Sequence, residues 1–277
     1  MTKWIRPLLQ GLVLATAAAA TPAVGAKALV PVVFAPGMGV PAEFTAWFRP
    51  LYSFFSERGY RLHVALTPRG GTLEARSEKL MSEIDRFLPN GESFHLIGHS
   101  MGGLDSRRAI QRYALGDRVL SLTTISTPHR GSPLADELME DADGEPSSNP
   151  ILAALESQFS ELGDAGGALT TAAMAEFNAR TPDDPRVAYF SMGFYIPEPV
   201  QLHTISLLDW YAFHVIKKRG APHNDGMVDV DSARWGTDLG AFPGSHMSQT
   251  KPIPYDGRLI YEKTFDRVLK NLDRCFR

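Results

Sequence analysis

The chain has 277 residues, 44% of them hydrophobic and 21% charged, with a net charge of −3. That size suits one large globular domain or two smaller ones. The weak negative charge, with no Lys/Arg-rich tract, excludes a charge-driven nucleic-acid binder.

At the N-terminus, Lys3 and Arg6 precede an apolar, alanine-rich run to Ala20, and Val24-Gly25-Ala26 supplies small residues for cleavage. This is the pattern of a secretory signal peptide over 1–26, with Ala20 as an alternative cut, followed by a domain over 27–277. Gln10, Thr16, Thr21 and Pro22 dilute the run against a membrane anchor, and no later segment is long and apolar enough to span a bilayer. Export permits disulfides, yet the only cysteine is Cys275, so no intrachain bridge can form.

The first strand is expected over 29–34 (LVPVVF), an apolar run suited to the interior of a parallel sheet. It enters Ala35-Pro36-Gly37-Met38-Gly39, a glycine-rich bend in which the Met38 amide is a candidate oxyanion donor. Phe44, Trp47 and Phe48 follow, and they read equally well as core or as the wall of an acyl-chain cleft. Pro50 suits the first turn of a helix with Leu51, Phe54 and Phe55 on its apolar face and Gly59 beyond its end. A strand over 60–66 comes next. Leu73, Ser77, Leu80, Ile84, Phe87 and Leu88 share one face of a helix that should pack on the sheet.

The run FHLIGHSMGG then places Gly98-His99-Ser100-Met101-Gly102 between a strand pattern and a helix pattern. G-x-S-x-G in that setting is a sharp turn that exposes a serine hydroxyl, with the following amide, on Met101, aimed at a reacting carbonyl oxygen. Outside that setting it would be an ordinary turn. Another strand is expected over 118–126, ending in Thr127-Pro128-His129-Arg130-Gly131-Ser132. The repeated order of strand, loop, helix and strand argues for right-handed crossovers and a mostly parallel sheet, with the loops after the strands gathered where a site forms.

Beyond a polar stretch at 140–149, Ile151, Leu152, Leu155, Phe159 and Leu162 give an amphipathic helix. It is either a lid or a helix packed permanently on the sheet. A helix over 169–179 and a strand over 186–192 follow. The apolar segment 206–223 has no clear period and reads only as buried or pocket-lining, with His214 and His223 structural or on the surface. A helix with Ile260, Tyr261, Phe265, Val268, Leu269 and Leu272 on one face closes the domain.

A serine nucleophile needs an imidazole to take its proton and a carboxylate to orient the imidazole. In the chain order Ser, acid, His, the last histidine, His246, is the expected base, ahead of His203, His214, His223, His99 and His129. His99, beside the turn, is expected to point the wrong way to serve as the base. Asp225, in a turn, is the first choice of acid, with Asp229 and Asp231 as rivals.

LIGHSMGG at 96–103, TPHRGS at 127–132, TTAAMAEFNAR at 170–180, HNDGMV at 223–228 and the late His246 together resemble the true lipases of the Pseudomonas and Burkholderia kind, within the α/β-hydrolase superfamily. The resemblance covers nearly the whole mature chain. It implies an α/β fold with a mostly parallel central sheet flanked by helices and a helical lid-like insertion over about 138–180. It implies Ser100, Asp225 and His246 as triad, Met38 and Met101 as oxyanion amides, and a dedicated secretion foldase as a possible partner. The family's oxyanion loop carries His-Gly, where this chain has Pro36-Gly37. Its members also bind a structural calcium. Asp209 matches the upstream ligand, but Ser248 replaces the aspartate two residues beyond the histidine, and a hydroxyl is a weak ligand for a hard cation.

The expected activity is therefore hydrolysis of fatty-acid esters by a secreted serine hydrolase, most closely a triacylglycerol lipase acting on apolar ester at an oil–water interface. No cofactor is needed for the chemistry. The rival enzyme is a lidless carboxylesterase or polyester depolymerase with the same triad. The non-enzyme rival is an inactive exported binding protein on the same scaffold.

Overall fold

Parallel strands covered on both faces are buried along their length and largely apolar. Val30–Ala35 (β1), Phe94–His99 (β3) and Val119–Ile125 (β4) are buried over nearly all their length and form the middle of the sheet, their few polar residues hydrogen-bonded or small. The computed structural model describes residues 29–37, 48–140, 147–200, 205–249 and 257–273. The expected leader 1–26, Met38, Phe44, Trp47, His203 and Cys275 lie outside them.

With Tyr60–Val64 (β2), Ala188–Tyr195 (β5) and Thr237–Pro243 (β6), the described strands form a six-stranded sheet in the order β2-β1-β3-β4-β5-β6, every pair parallel. The register sets Ala35 opposite Gly98, and His99 opposite Ile125. The ends of β1, β3 and β4 therefore lie side by side, and the loops that follow them share one edge.

Alternate strand residues feed two apolar layers. On one face Val32, Phe34 and Ile97 pack with Leu51 and Phe55 of Arg49–Ser56 (α1) and with Phe265 and Val268 of Gly257–Leu272 (α10). Phe265 stands edge-on to Phe34 and Phe55, with centroids 5.9 and 5.6 Å apart. Phe48 is buried edge-on against Phe34, which makes it core. On the other face Val33, Leu96 and Leu122 meet Leu80 and Ile84 of Leu73–Phe87 (α2) and Ala109 and Ile110 of Met101–Arg112 (α3). Thr72 starts α2 by accepting the Ala75 amide at 3.1 Å.

A smaller layer of helices lies beyond the strand ends. It comprises Pro133–Glu140 (α4), Pro150–Ser160 (α5), Asp164–Gly167 (α6), Thr171–Arg180 (α7) and Leu207–Lys218 (α8). Leu134, Leu138 and Leu155 pack on Ala212 and Ile216 of α8. The segment 206–223, expected to be irregular, is thus largely a helix. Its period is blurred because Leu208, Tyr211 and Val215 face the apolar helices of this layer while Phe213 is also buried. Strand β6 was not anticipated either. Its sequence TDLGAFP carries Gly240 at φ +100° and ends in proline, and its pairing with β5 slips in register between Ser191 and Gly193.

One core residue couples folding to acidity. His95, in β3, is buried with Nδ1 2.7 Å from Ser121 Oγ. Burial pushes its imidazole down to about 4 against the pull of Asp273. The folded state resists protonation while the unfolded chain accepts a proton near pH 6.5, so stability present above pH 6.5 is lost as the pH falls toward 4. Urea unfolding of wild type and His95→Asn at pH 7 and pH 4.5 measures this. The variant should lose less stability on acidification, by about 2–3 kcal/mol.

Candidate active site

Ser100 occupies the junction of β3 and α3 with φ 55° and ψ −131°, a region disfavoured for a residue with a side chain. The turn is held in place by its surroundings. Ser100 N donates to Ile125 O at 2.9 Å and Gly103 N donates to Ser100 O at 3.1 Å. Neither flanking glycine has room for a side chain: a Cβ on Gly98 would lie 2.5 Å from Gly103 Cα, and one on Gly102 would lie 2.0 Å from Ala35 O. Met101 is the first residue of α3, so its amide belongs to the four that a helix leaves without an internal acceptor. Gly37, just past β1, lies against the serine, since a Cβ there would be 3.0 Å from Ser100 Oγ. The bend that carries the Met38 position thus begins beside Ser100; Met38 itself is not described.

The acid and base of the expected triad come together from separate segments. Asp225 Oδ2 accepts from His246 Nδ1 at 2.9 Å, and the His246 amide donates to Asp225 O at 2.9 Å. The carboxylate is fully buried, and it accepts from the amides of Met227 and Val228 on Oδ1 and from Gln249 Nε2 on Oδ2. Burial pushes its pKa up. The charge and hydrogen bond of His246, the Val228 amide and Gln249 outweigh that push and hold it below the usual carboxylate range. An ionised Asp225 can only accept, so Nδ1 carries the proton and Nε2 is left as the acceptor. The rival acids are engaged elsewhere: Asp229 caps Val230–Ala233 (α9) through the Ser232 amide, and Asp231 pairs with Arg234.

The His99 ring packs on that of His246, with centroids 4.8 Å apart, and its Nε2 lies 3.3 Å from His246 O. The residue preceding Ser100 therefore supports the residue expected to activate it.

Sequence reasoning missed a second buried carboxylate. Arg76 of α2 and Asp105 of α3, both 0% exposed, form a two-pronged ion pair at 3.0 and 2.6 Å. The same guanidinium donates to Gly37 O, Pro68 O and Arg69 O. Burial pushes Asp105 up to about 6 against the pull of Arg76, while Asp225 moves the opposite way. Arg76 thus ties the loop after β1 to α2 and α3. Its only signal in sequence is a charged residue on the otherwise apolar-facing side of an amphipathic helix.

The other resembled motifs are structural. His129 is buried, stacked on Trp235 at 5.1 Å, with Nε2 3.0 Å from Thr124 Oγ1. Burial, with Arg107 and Arg130 nearby, holds it well below the ordinary histidine range. Asn178 donates to His129 O at 2.8 Å and accepts from Arg107 at 2.8 Å, tying α7 to the loop after β4. That loop in turn clasps the acid's turn, with Ser132 Oγ donating to Met227 O at 2.5 Å and Arg130 to Asp231 O at 2.9 Å.

The resemblance implies calcium ligands at the positions of Asp209 and Ser248. Asp209 sits in the first turn of α8, where its amide is capped by Ser206 Oγ, and Ser248 Oγ donates to Ser245 O at 2.8 Å. Among the described residues no three His, Cys, Asp or Glu side chains converge on a point.

Comparison with known proteins agrees with this architecture. The mature form of the Bacillus licheniformis lipase BlEst2 superposes with a TM-score of 0.69 at 22% identity, covering 89% of this chain and 93% of that one. The fold is that of an α/β-hydrolase. Residues 52–142 of this chain match the family model described as a PGAP1-like alpha/beta domain. The chain is 34% identical over 194 residues to Triacylglycerol lipase 2 of Saccharomyces cerevisiae, covering 66% of this chain and 55% of that protein. It is 35% identical over 122 residues to a triacylglycerol lipase of Burkholderia plantarii, covering 39% of this chain and 34% of that one. The chain thus spans little more than half of the yeast relative and about a third of the bacterial one. These matches support a lipase family without singling out the Pseudomonas and Burkholderia branch.

The Arg76–Asp105 pair yields a direct test. Arg76→Met leaves a buried carboxylate and three carbonyls without their donor, and urea unfolding should show a loss of about 3–5 kcal/mol. Adding Asp105→Leu removes the orphaned charge and should recover part of that loss.

Proposed function

We propose that the chain is a serine ester hydrolase acting on fatty-acyl esters, most closely a triacylglycerol lipase, with Ser100 as nucleophile, His246 as base and Asp225 as acid. The single observation that carries this reading is the Asp225–His246 hydrogen bond, made next to a strained serine turn whose preceding residue packs on His246. The relatives named as triacylglycerol lipases support the choice of substrate class.

In the proposed mechanism Ser100 Oγ attacks the ester carbonyl as His246 Nε2 takes its proton. Asp225 holds the ring in the tautomer that leaves Nε2 open and stabilises the imidazolium. Charge on the carbonyl oxygen is met by the Met101 amide and by the Met38 amide, each supplying roughly 3 kcal/mol. His246 then gives its proton to the leaving alcohol, and water activated by the same ring releases the fatty acid. These steps use no cofactor. Among the described residues, Arg76 pairs with Asp105 and Asp225 with His246, which favours an apolar acyl group. The leader-like N-terminus supports export of the enzyme.

The helix layer supplies a second reading. α5 packs Leu152, Leu155 and Phe159 on α8, and Asn149 at its start lies 3.4 Å from Tyr211. A helix so fastened suits a carboxylesterase with a fixed wall, and a helix that lifts off suits a lipase.

Rate against tributyrin concentration, carried through the solubility limit with Ser100→Ala as blank, separates these two. The lipase reading expects a sharp rise once droplets form; saturation below the limit with no further rise gives the esterase. A fluorophosphonate probe should label Ser100, and failure to label folded protein ends the enzyme reading. Asp225→Asn should keep the fold and lower kcat by roughly 10⁴-fold, because the amide favours the wrong tautomer of His246.

A further inference from the structure

Gln249 ends the short 3-10 turn His246–Gln249 and is 0% exposed. Its Nε2 donates to Asp225 Oδ2 at 2.8 Å, the oxygen that also accepts from His246 Nδ1. Its other polar atom, Oε1, is buried with no hydrogen-bond partner among the described residues. A stranded carbonyl oxygen carries a desolvation cost, and a methionine of similar length would fill the space without it. Packing therefore does not account for an amide at this position. What the amide alone supplies is the second donor on Oδ2.

That donor completes a four-point mounting. Oδ1 is held by the amides of Met227 and Val228, and Oδ2 is shared by Gln249 and His246. The carboxylate cannot swing about its Cβ–Cγ bond without breaking bonds on both oxygens. The turn bearing His246 is pinned to the same aspartate twice, through the His246 amide and through Gln249.

We infer that Gln249 is a positioning residue for ester hydrolysis: its side-chain amide fixes the plane of Asp225 and, through it, the tautomer and tilt of His246. The inference rests on the reading of Asp225 and His246 as acid and base. Gln249 touches neither the ester nor Ser100 in this role, and it improves the geometry of the base at the expense of one unsatisfied buried oxygen.

The test compares wild type, Gln249→Met and His246→Ala with a soluble short-chain p-nitrophenyl ester, measuring kcat, KM and Tm. Gln249→Met should lower kcat by about 10- to 100-fold, the worth of one hydrogen bond to a charged group, with KM within about twofold of wild type. Its Tm should stay close to that of wild type, because losing one donor to the buried Asp225 carboxylate offsets the relief of the stranded oxygen. A purely structural glutamine predicts the reverse, a lower Tm with kcat kept. Unchanged kcat, or a fall in Tm with a rise in KM, overturns the inference. Should Gln249→Met fail to fold, Gln249→Asn withdraws the amide by one methylene and is judged by the same split between kcat and KM. His246→Ala separates the two levels of argument. If it turns over ester as fast as wild type, the acid–base reading falls and this inference with it. If it is inactive while Gln249→Met matches wild type, only the role of Gln249 falls.

Discussion

The constraint on which the rest depends is the backbone of Ser100. A residue with a side chain does not settle at φ 55° and ψ −131° by itself, at a cost of order 1–3 kcal/mol. The surroundings enforce it: a sheet hydrogen bond from β4 holds its amide, and two glycines let α3 and the end of β1 close in. Each of those features needs the parallel register of β1, β3 and β4, which in turn needs both apolar layers. The most exposed piece of chemistry thus depends on the most deeply buried part of the fold.

Around that turn the two buried carboxylates divide the electrostatic work. Asp225 has four hydrogen-bond donors, His246 among them, so its charge persists although it is fully buried. Asp105 has one cationic partner and leans toward neutrality, so its pairing is the weaker point on acidification. The first orients the proposed base, and the second anchors the loop beside the serine through Arg76. Neither job can be exchanged, because what differs is the count of donors facing each carboxylate.

The legible parts of the sequence were those with a strong local pattern. The strands at 30–35, 94–99 and 119–125, the amphipathic helix over 73–87 and the G-x-S-x-G turn all carry their period or punctuation in consecutive residues. Asp225 and His246 were readable from chain order and motif, and the structure brings them into hydrogen-bond contact. What escaped was decided at long range. β6 is a strand only because β5 accepts it, and α8 hides its period because apolar residues lie on more than one side. Arg76 and Gln249 look like ordinary polar residues until partners 29 and 24 positions away are seen. The packing of His99 on His246 escaped for the same reason, since the two are 147 residues apart.

The edge position of β6 has a consequence for assembly. The serine turn is built from the centre of the sheet, whereas His246 follows the outermost strand on the far side. A molecule whose edge strand has not docked on β5 owns a finished Ser100 turn and no base. It retains most of its helices and would look nearly native by circular dichroism. Under the proposed mechanism, recovery of ester turnover after refolding counts only those molecules in which the last strand has closed. On that mechanism, hydrolysis waits on a strand that joins the sheet at the opposite edge from β2.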